Sequence, residues 1–250
     1  MSTGMDIELG RSAAVLLAAG RGTRMRSTLP KPLVPLAGRG LTLRLLDAVQ
    51  AAGIGHPVVV VGHGADEVRA ALPDGVTTAF QAVRDGTASA VDAAREAVGD
   101  AEHVFVLVGD SPLLRPESLE ALFAHHLRTS AACSFLTATF PVSFPYARVM
   151  RGPHGDVVAC IEERDCTPEQ AAIRELLTSH YVFRADALWS ALERVVAHED
   201  TGERYLTDVI EIIGFEGGVE ALSIEDWREL VGLNTPEEVA WAEEVLRERG

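Results

Sequence analysis

Three cationic side chains, Arg24, Arg26 and Lys31, fall within eight residues of one another, just after a turn that carries Gly20 and Gly22. Glycines without a Cβ let the backbone turn tightly and lie close against a ligand. Successive amide N–H groups in such a turn make a concave site for anions. A guanidinium suits bidentate contact with phosphate, and an ammonium supplies a compact point charge. Pro30 and Pro32 flank Lys31 and restrict the backbone that carries it. The chemistry this stretch can support is therefore the binding of a phosphate-bearing ligand. It is not a Walker A loop, because no Gly-Lys-Ser/Thr occurs, nor a dinucleotide fingerprint, because prolines stand where the third Gly and a helix are needed.

Two more places carry chemistry. Residues 81 to 90 read Q-A-V-R-D-G-T-A-S-A. The Gln81 amide holds both a donor and an acceptor and can pair with the edge of a base, and Gly86-Thr87 opens an Ala-rich helix whose first amides can face a ligand. Taken alone, this stretch is equally an ordinary helix N-terminus. Residues 104 to 110 read V-F-V-L-V-G-D. A carboxylate at the end of a buried strand can hold a hard cation, although Asp110 could also cap the helix expected near Pro116.

Positioning these groups requires a sheet. The run Ala13 to Ala19 is wholly apolar, short and ends in Gly, which reads as a strand buried on both faces. The same reading gives strands at 56–62, 77–81, 104–110, 130–139 and 173–185, and helices at 41–52, 66–72, 88–98, 185–196 and 205–213. Between 140 and 164 short β segments, 147–150 and 157–162, alternate with Pro and Gly turns. Thr235 is a plausible N-cap, with Pro236 at the first position of a helix running to Arg249. Strands alternating with helices imply a parallel sheet with right-handed crossovers. A loop leaving the C-terminal end of a first strand is where such sheets bind nucleotides.

The 250 residues allow one sizeable α/β core. We expect a single globule with a nucleotide-binding half at about 11–139, an acceptor-binding half at about 140–234 and a C-terminal helix at 235–250. The formal net charge of -15 argues against a general binder of nucleic acid. The three cysteines, Cys133, Cys160 and Cys166, have no metal-ligand or disulfide-framework spacing and read as free thiols of a reducing cytosol. The first ten residues are polar and lead directly into the first strand, with no signal-peptide pattern. No apolar run has the length of a membrane span. A cytoplasmic protein without membrane or nucleic-acid partners is expected; a homo-oligomer is left open.

The string L-A-A-G-x-G-T-R-M-x-S-x-x-P-K, residues 17 to 31, resembles the signature of the sugar-1-phosphate nucleotidyltransferases. The resemblance is strongest to the pyrophosphorylase half of bifunctional N-acetylglucosamine-1-phosphate uridyltransferase and runs from Ala13 to about Asn234. It implies an α/β, Rossmann-like fold with a mixed, mainly parallel sheet flanked by helices and a β-rich acceptor-binding half. It implies transfer of a nucleoside monophosphate, foremost UMP from UTP, to a sugar-1-phosphate with release of pyrophosphate. Leu17, Ala18, Ala19, Gly20, Gly22 and Thr23, with Gln81, Gly86 and Thr87, would bind the nucleotide. Arg24 and Lys31 would be catalytic, and Asp110 and Asn234 would hold Mg²⁺. Ala147, Glu162, Leu177, Thr178 and Tyr205 would face the acceptor.

The departures from that family lie in the acceptor half. Its I-N-T-G is L-L-T-S here, so Leu177 and Ser179 replace Asn and Gly; its G-Y-G-R is P-Y-A-R at 145–148; and Val108 stands where it has Tyr. Leu cannot replace an amide hydrogen bond, so an acceptor other than N-acetylglucosamine 1-phosphate is expected. The rival readings are a cytidylyl or guanylyl transferase with a specialised acceptor, and a nucleotide-binding protein without catalysis. The chain stops before the family's β-helical acetyltransferase half, so that second activity is not expected from it.

Overall fold

The computed structural model describes residues 4–216 and 218–250. Helix α1 (Gly4–Arg11) precedes strand β1 (Ala13–Leu17). The polar lead-in expected from composition is thus helical; it buries Leu9, and the Ser12 hydroxyl donates to the Glu8 carbonyl at 2.9 Å. After a loop and a two-strand ribbon, β2 (Pro35–Leu36) and β3 (Arg39–Gly40), come α2 (Leu41–Ala51), β4 (His56–Val61), α3 (Ala65–Ala71) and β5 (Thr77–Phe80). The single helix expected over 88–98 is two, α4 (Thr87–Asp92) and α5 (Arg95–Val98). The Ala94 amide bonds the Val91 carbonyl, three residues back rather than four, and this tight turn interrupts the α ladder.

The chain continues through β6 (His103–Val108), α6 (Pro116–Thr129), β7 (Cys133–Thr139), the hairpin β8 (Ala147–Arg151) and β9 (Val157–Ile161), and α7 (Pro168–Ala171). It ends with β10 (Glu175–Arg184), α8 (Ala185–Leu192), α9 (Leu206–Glu216), β11 (Val219–Ser223) and α10 (Pro236–Arg249).

The main sheet runs β11-β7-β10-β6-β1-β4-β5. β1 lies between β4 and β6 and is parallel to both. β5 joins β4, and β11 joins β7, again in parallel. Only β10 runs against its neighbours β6 and β7. Successive side chains of a strand face opposite sides, so β1 supplies both core layers. Ala14 and Leu16 pack with Leu45 and Leu46 of α2, Leu122 of α6 and Val245 of α10. Ala13 and Val15 pack with Val91 of α4, Leu188 of α8 and Ile210 of α9. Burial on both sides explains why β1 reads as an unbroken apolar run rather than an alternating one.

β10 changes partners midway. Leu176 and Leu177 pair with Arg148 and Ala147 of β8, whereas His180 onward pairs with β6. Between them the register against β7 shifts, and Ser179 takes a left-handed conformation at φ 64. This bulge marks the point where β10 passes from the β8 pairing to the β6 pairing.

Candidate active site

The loop after β1 leaves the C-terminal end of the strand, where Leu17 to Gly20 line a cavity. Gly22 has φ 60, and a Cβ built there would lie 2.5 Å from Lys31 Cβ. Only glycine permits this approach, which presses the glycine turn against the lysine stem. Met25 is buried, anchoring the short turn Thr23–Met25, while Arg24 on the same turn stays exposed. Lys31 opens a second short turn whose Pro32 is buried. Its aliphatic stem is covered, leaving its side chain 13% exposed.

The Lys31 ammonium is held from two sides. It donates to Asp110 Oδ2 in a close ion pair and to Asn234 Oδ1 at 2.7 Å. Arg24 donates to the same Asn234 oxygen at 3.0 Å. Two cations and two oxygen-bearing side chains, from three distant parts of the sequence, therefore meet at one point.

Asp110 follows β6 after Gly109, and its carbonyl accepts from the Leu233 amide at 2.8 Å. Gly232 lies so close that a Cβ there would come within 2.9 Å of Asp110 Oδ1. Asn234 stands just before the N-cap Thr235 of α10. Glu238 accepts from the amides of Asn234 at 2.5 Å and Thr235 at 3.1 Å, and the Thr235 hydroxyl accepts from Glu238 N, closing a capping box. The Asn234 side-chain amide donates to the Gly232 carbonyl at 2.9 Å, which aims its oxygen at Lys31. Tyr146 OH accepts from the Gly232 amide at 3.0 Å; burial foremost pushes this phenol up to about 12, so it remains protonated.

Lys31 and Asp110 form one wall of a cavity of about 310 Å³, and Leu17, Ala18, Ala19 and Gly20 line it from the loop. Gln81, Arg84, Gly86 and Thr87 line it from the segment after β5, and Glu203 from the approach to α9. Gln81 is buried, and its Nε2 donates to the Gly86 carbonyl at 3.0 Å, which fixes the amide and leaves its carbonyl oxygen for a ligand. The Thr42 hydroxyl donates to the Gly109 carbonyl at 2.7 Å and steadies the turn before Asp110.

Thr87 also lines a second cavity, of about 220 Å³, together with Glu162, Arg164, Ser179, Tyr205 and Thr207. The Thr87 hydroxyl accepts from the Leu206 amide at 2.9 Å, so this residue ties the two cavities' common wall together. Glu162 accepts from the Thr207 hydroxyl at 3.1 Å, and burial foremost raises its carboxyl above the ordinary glutamate range. Tyr205 OH donates to Glu203 at 2.5 Å, and the Arg164 guanidinium lies 4.7 Å above its ring.

The structure thus brings together Leu17, Ala18, Ala19, Gly20, Lys31, Gln81, Gly86, Thr87 and Asp110, with Arg24 and Asn234 joined to them through hydrogen bonds; Gly22 packs on the Lys31 stem and Thr23 is exposed, and neither lines the cavity. Glu162 and Tyr205 meet at the second cavity. Ala147 and Leu177 pair across β8 and β10 with buried side chains in a core layer, and Thr178 is buried with its hydroxyl 3.0 Å from His180 Nδ1. None of these three lines either cavity. Sequence reasoning missed Arg84, Glu203, Tyr146 and Glu238. Glu238 was detectable, because Thr-x-x-Glu at 235–238 is the sequence mark of a capping box.

The chain matches the family described as MobA-like NTP transferase domain over residues 14–211. It is 41% identical over 241 residues to the "Bifunctional protein GlmU" of Heliobacterium modesticaldum, covering 96% of this chain and 53% of that protein. The protein of the same name from Geobacillus sp. (strain WCH70) is 39% identical, with 94% and 52% covered. That from Pelotomaculum thermopropionicum is 41% identical, with 95% and 52% covered. The chain spans about half the length of the curated relatives it matches. With a family match that takes in the glycine loop, the Gln81 turn and Asp110, this chain belongs to the MobA-like NTP transferase domain family, the nucleotidyltransferases.

Proposed function

We propose that the protein is a Mg²⁺-dependent nucleotidyltransferase that moves UMP from UTP onto a sugar-1-phosphate and releases pyrophosphate. The observation that carries this reading is the convergence of Arg24, Lys31, Asp110 and Asn234 at the mouth of the cavity behind the glycine loop. In nucleotidyl transfer an acceptor phosphate oxygen attacks the α-phosphorus, and pyrophosphate leaves in line. That oxygen is already an anion, so the protein must align the reactants and neutralise charge more than supply a base.

The donor set suits the cation. Asp110 Oδ2 and Asn234 Oδ1 both reach one ammonium, so the two oxygens lie close enough to share one centre, and Mg²⁺ takes hard oxygen ligands. Asp110 and Asn234 would hold the ion, whose charge screens the two anionic reactants from each other. The loop amides at 18–23 bind the triphosphate, Arg24 stabilises its developing charge, and Lys31 holds the acceptor phosphate. The carbonyl oxygen of Gln81 accepts an N–H from the base edge, as the imide of uracil offers. The sugar rests at Glu162 and Tyr205, where Glu162 accepts from its hydroxyls.

Pyrophosphate release should be screened with UTP against a panel of sugar-1-phosphates, with CTP and GTP as controls. Turnover should depend on Mg²⁺ and be greatest with UTP. Lys31→Ala and Asp110→Ala should each lower kcat by roughly 10²-fold or more while leaving the fold intact. Normal turnover in either variant would overturn these roles, and preference for CTP or GTP would transfer the reading to another base.

A further inference from the structure

Among the described residues four non-glycines have positive φ: Arg26, Ala37, Ser130 and Ser179. Arg26 ends the short turn Thr23–Met25, Ser130 ends α6, and Ala37 lies in the turn between β2 and β3, where such conformations are usual. Ser179 is different, because it lies within a strand. A side chain with a Cβ is strained in this region, and such outliers gather where a site needs them. Ser179 is also a wall of the second cavity. Tyr181 OH donates to Ser179 Oγ at 3.4 Å, so the serine's own hydroxyl hydrogen is left for another acceptor.

We infer that Ser179 is a specificity-determining residue of the acceptor cavity, whose hydroxyl donates to an oxygen of a polyhydroxylated acceptor. This rests on the nucleotidyl-transfer reading above. Glu162 offers an acceptor on the same wall system, and Arg164 offers donors. Ser179 adds a short, oriented hydroxyl where a glycine would give bare backbone. It also gives a partner to the Tyr181 hydroxyl, which is otherwise buried among the core rings Phe135 and Phe183.

Two variants separate the hydroxyl from the backbone strain. Ser179→Ala keeps the Cβ and its strain but removes the oxygen. Ser179→Gly removes both. Ser130→Gly is the control, since it makes the same backbone change at the end of α6, outside both cavities. Pyrophosphate release would be followed with UTP and, in turn, glucose 1-phosphate and N-acetylglucosamine 1-phosphate. Both Ser179 variants should lose roughly three- to tenfold in kcat/KM for the acceptor, the worth of one neutral hydrogen bond, with the KM for UTP unchanged. Relief of strain and the greater unfolded freedom of glycine oppose one another, so Ser179→Gly should melt within about 4 °C of wild type. Ser130→Gly should keep wild-type kinetics.

Wild-type acceptor kinetics in both Ser179 variants, or equal losses toward UTP and acceptor, would overturn this inference alone. No turnover by the wild-type protein with any acceptor would overturn the nucleotidyl-transfer reading, and this one with it.

Discussion

Lys31 shows how one side chain's place is determined by groups far apart in sequence. Gly22 packs on its stem, Asp110 pairs with its head, and Asn234 fixes the direction of that head. A long lysine chain loses considerable rotamer freedom when held this way; the two oxygens offset that loss and fix the charge at the cavity wall. Arg84 presents the opposite situation. It is exposed, lines the same cavity, and has no hydrogen-bond or ion-pair partner among the described residues. A guanidinium with five unused donors, three residues after Gln81, is available to a nucleotide. Charge-assisted hydrogen bonds contribute about 1.5–3 kcal/mol, so Arg84→Ala should raise the KM for the nucleoside triphosphate by roughly tenfold or more, with kcat little changed. Steady-state kinetics decide this. An unaltered KM would remove Arg84 from the nucleotide's contacts.

At the scale of elements, the segment that delivers Asn234 is fixed by a carboxylate. Glu229 is fully buried and accepts from the Arg115 amide at 3.1 Å, from Arg115 Nε at 2.7 Å and from the Ser118 hydroxyl at 2.6 Å. The N-cap of α6 is Arg115, which has no side-chain cap of its own, so Glu229 performs that task from across the chain and favours the helix dipole. Removing it strands an amide, a hydroxyl and half of an ion pair. Arg115 is half exposed, so water takes over its charge, but the amide and the hydroxyl lose their partner, and Glu229→Ala should lower stability by about 2 kcal/mol in urea unfolding; a loss below about 1 kcal/mol would show that water replaces it freely. No sequence reading could have found this tie, because 114 residues separate its ends. What the sequence makes legible is local: β1 as a two-faced apolar run, and the proline and threonine that start α10. The lead-in helix α1 escaped because it buries little besides Leu9. The edge strand β11 escaped because its residues are only partly buried and its pattern is weak. The break between α4 and α5 escaped because an Ala-rich stretch carries no stop signal.

Across the whole molecule the sheet arranges chemistry by strand ends rather than by sequence neighbourhood, so β1, β6 and the approach to α10 deliver their groups to one edge. The cation–carboxylate–amide cluster was legible only through the family resemblance, since Lys31 meets an oxygen 203 residues away. The sheet also buries two titratable rings. His126 of α6 and His180 of β10 are 1% and 0% exposed, and burial foremost lowers each from 6.5 to about 4. His126 Nδ1 lies 2.9 Å from Ser134 Oγ, and His180 Nδ1 3.0 Å from Thr178 Oγ1, while the Nε2 of each is buried without a partner. The direction of the pH effect follows. Below pH about 6.5 the unfolded chain takes up protons that the folded chain refuses until about pH 4, so stability falls as pH falls through this window. Above the window both states are neutral and the effect vanishes. At pH 5 the penalty is about 2 kcal/mol for each ring, or about 4 kcal/mol together. Glu162 acts in the opposite sense, because its raised carboxyl gains a proton more readily in the folded chain. Urea unfolding at pH 7 and pH 5 should show a net loss of a few kcal/mol, and His126→Gln should remove about half of the histidine contribution. Equal stability at the two pH values would mean that the folded chain accepts these protons, which buried rings with unpartnered Nε2 atoms should not do.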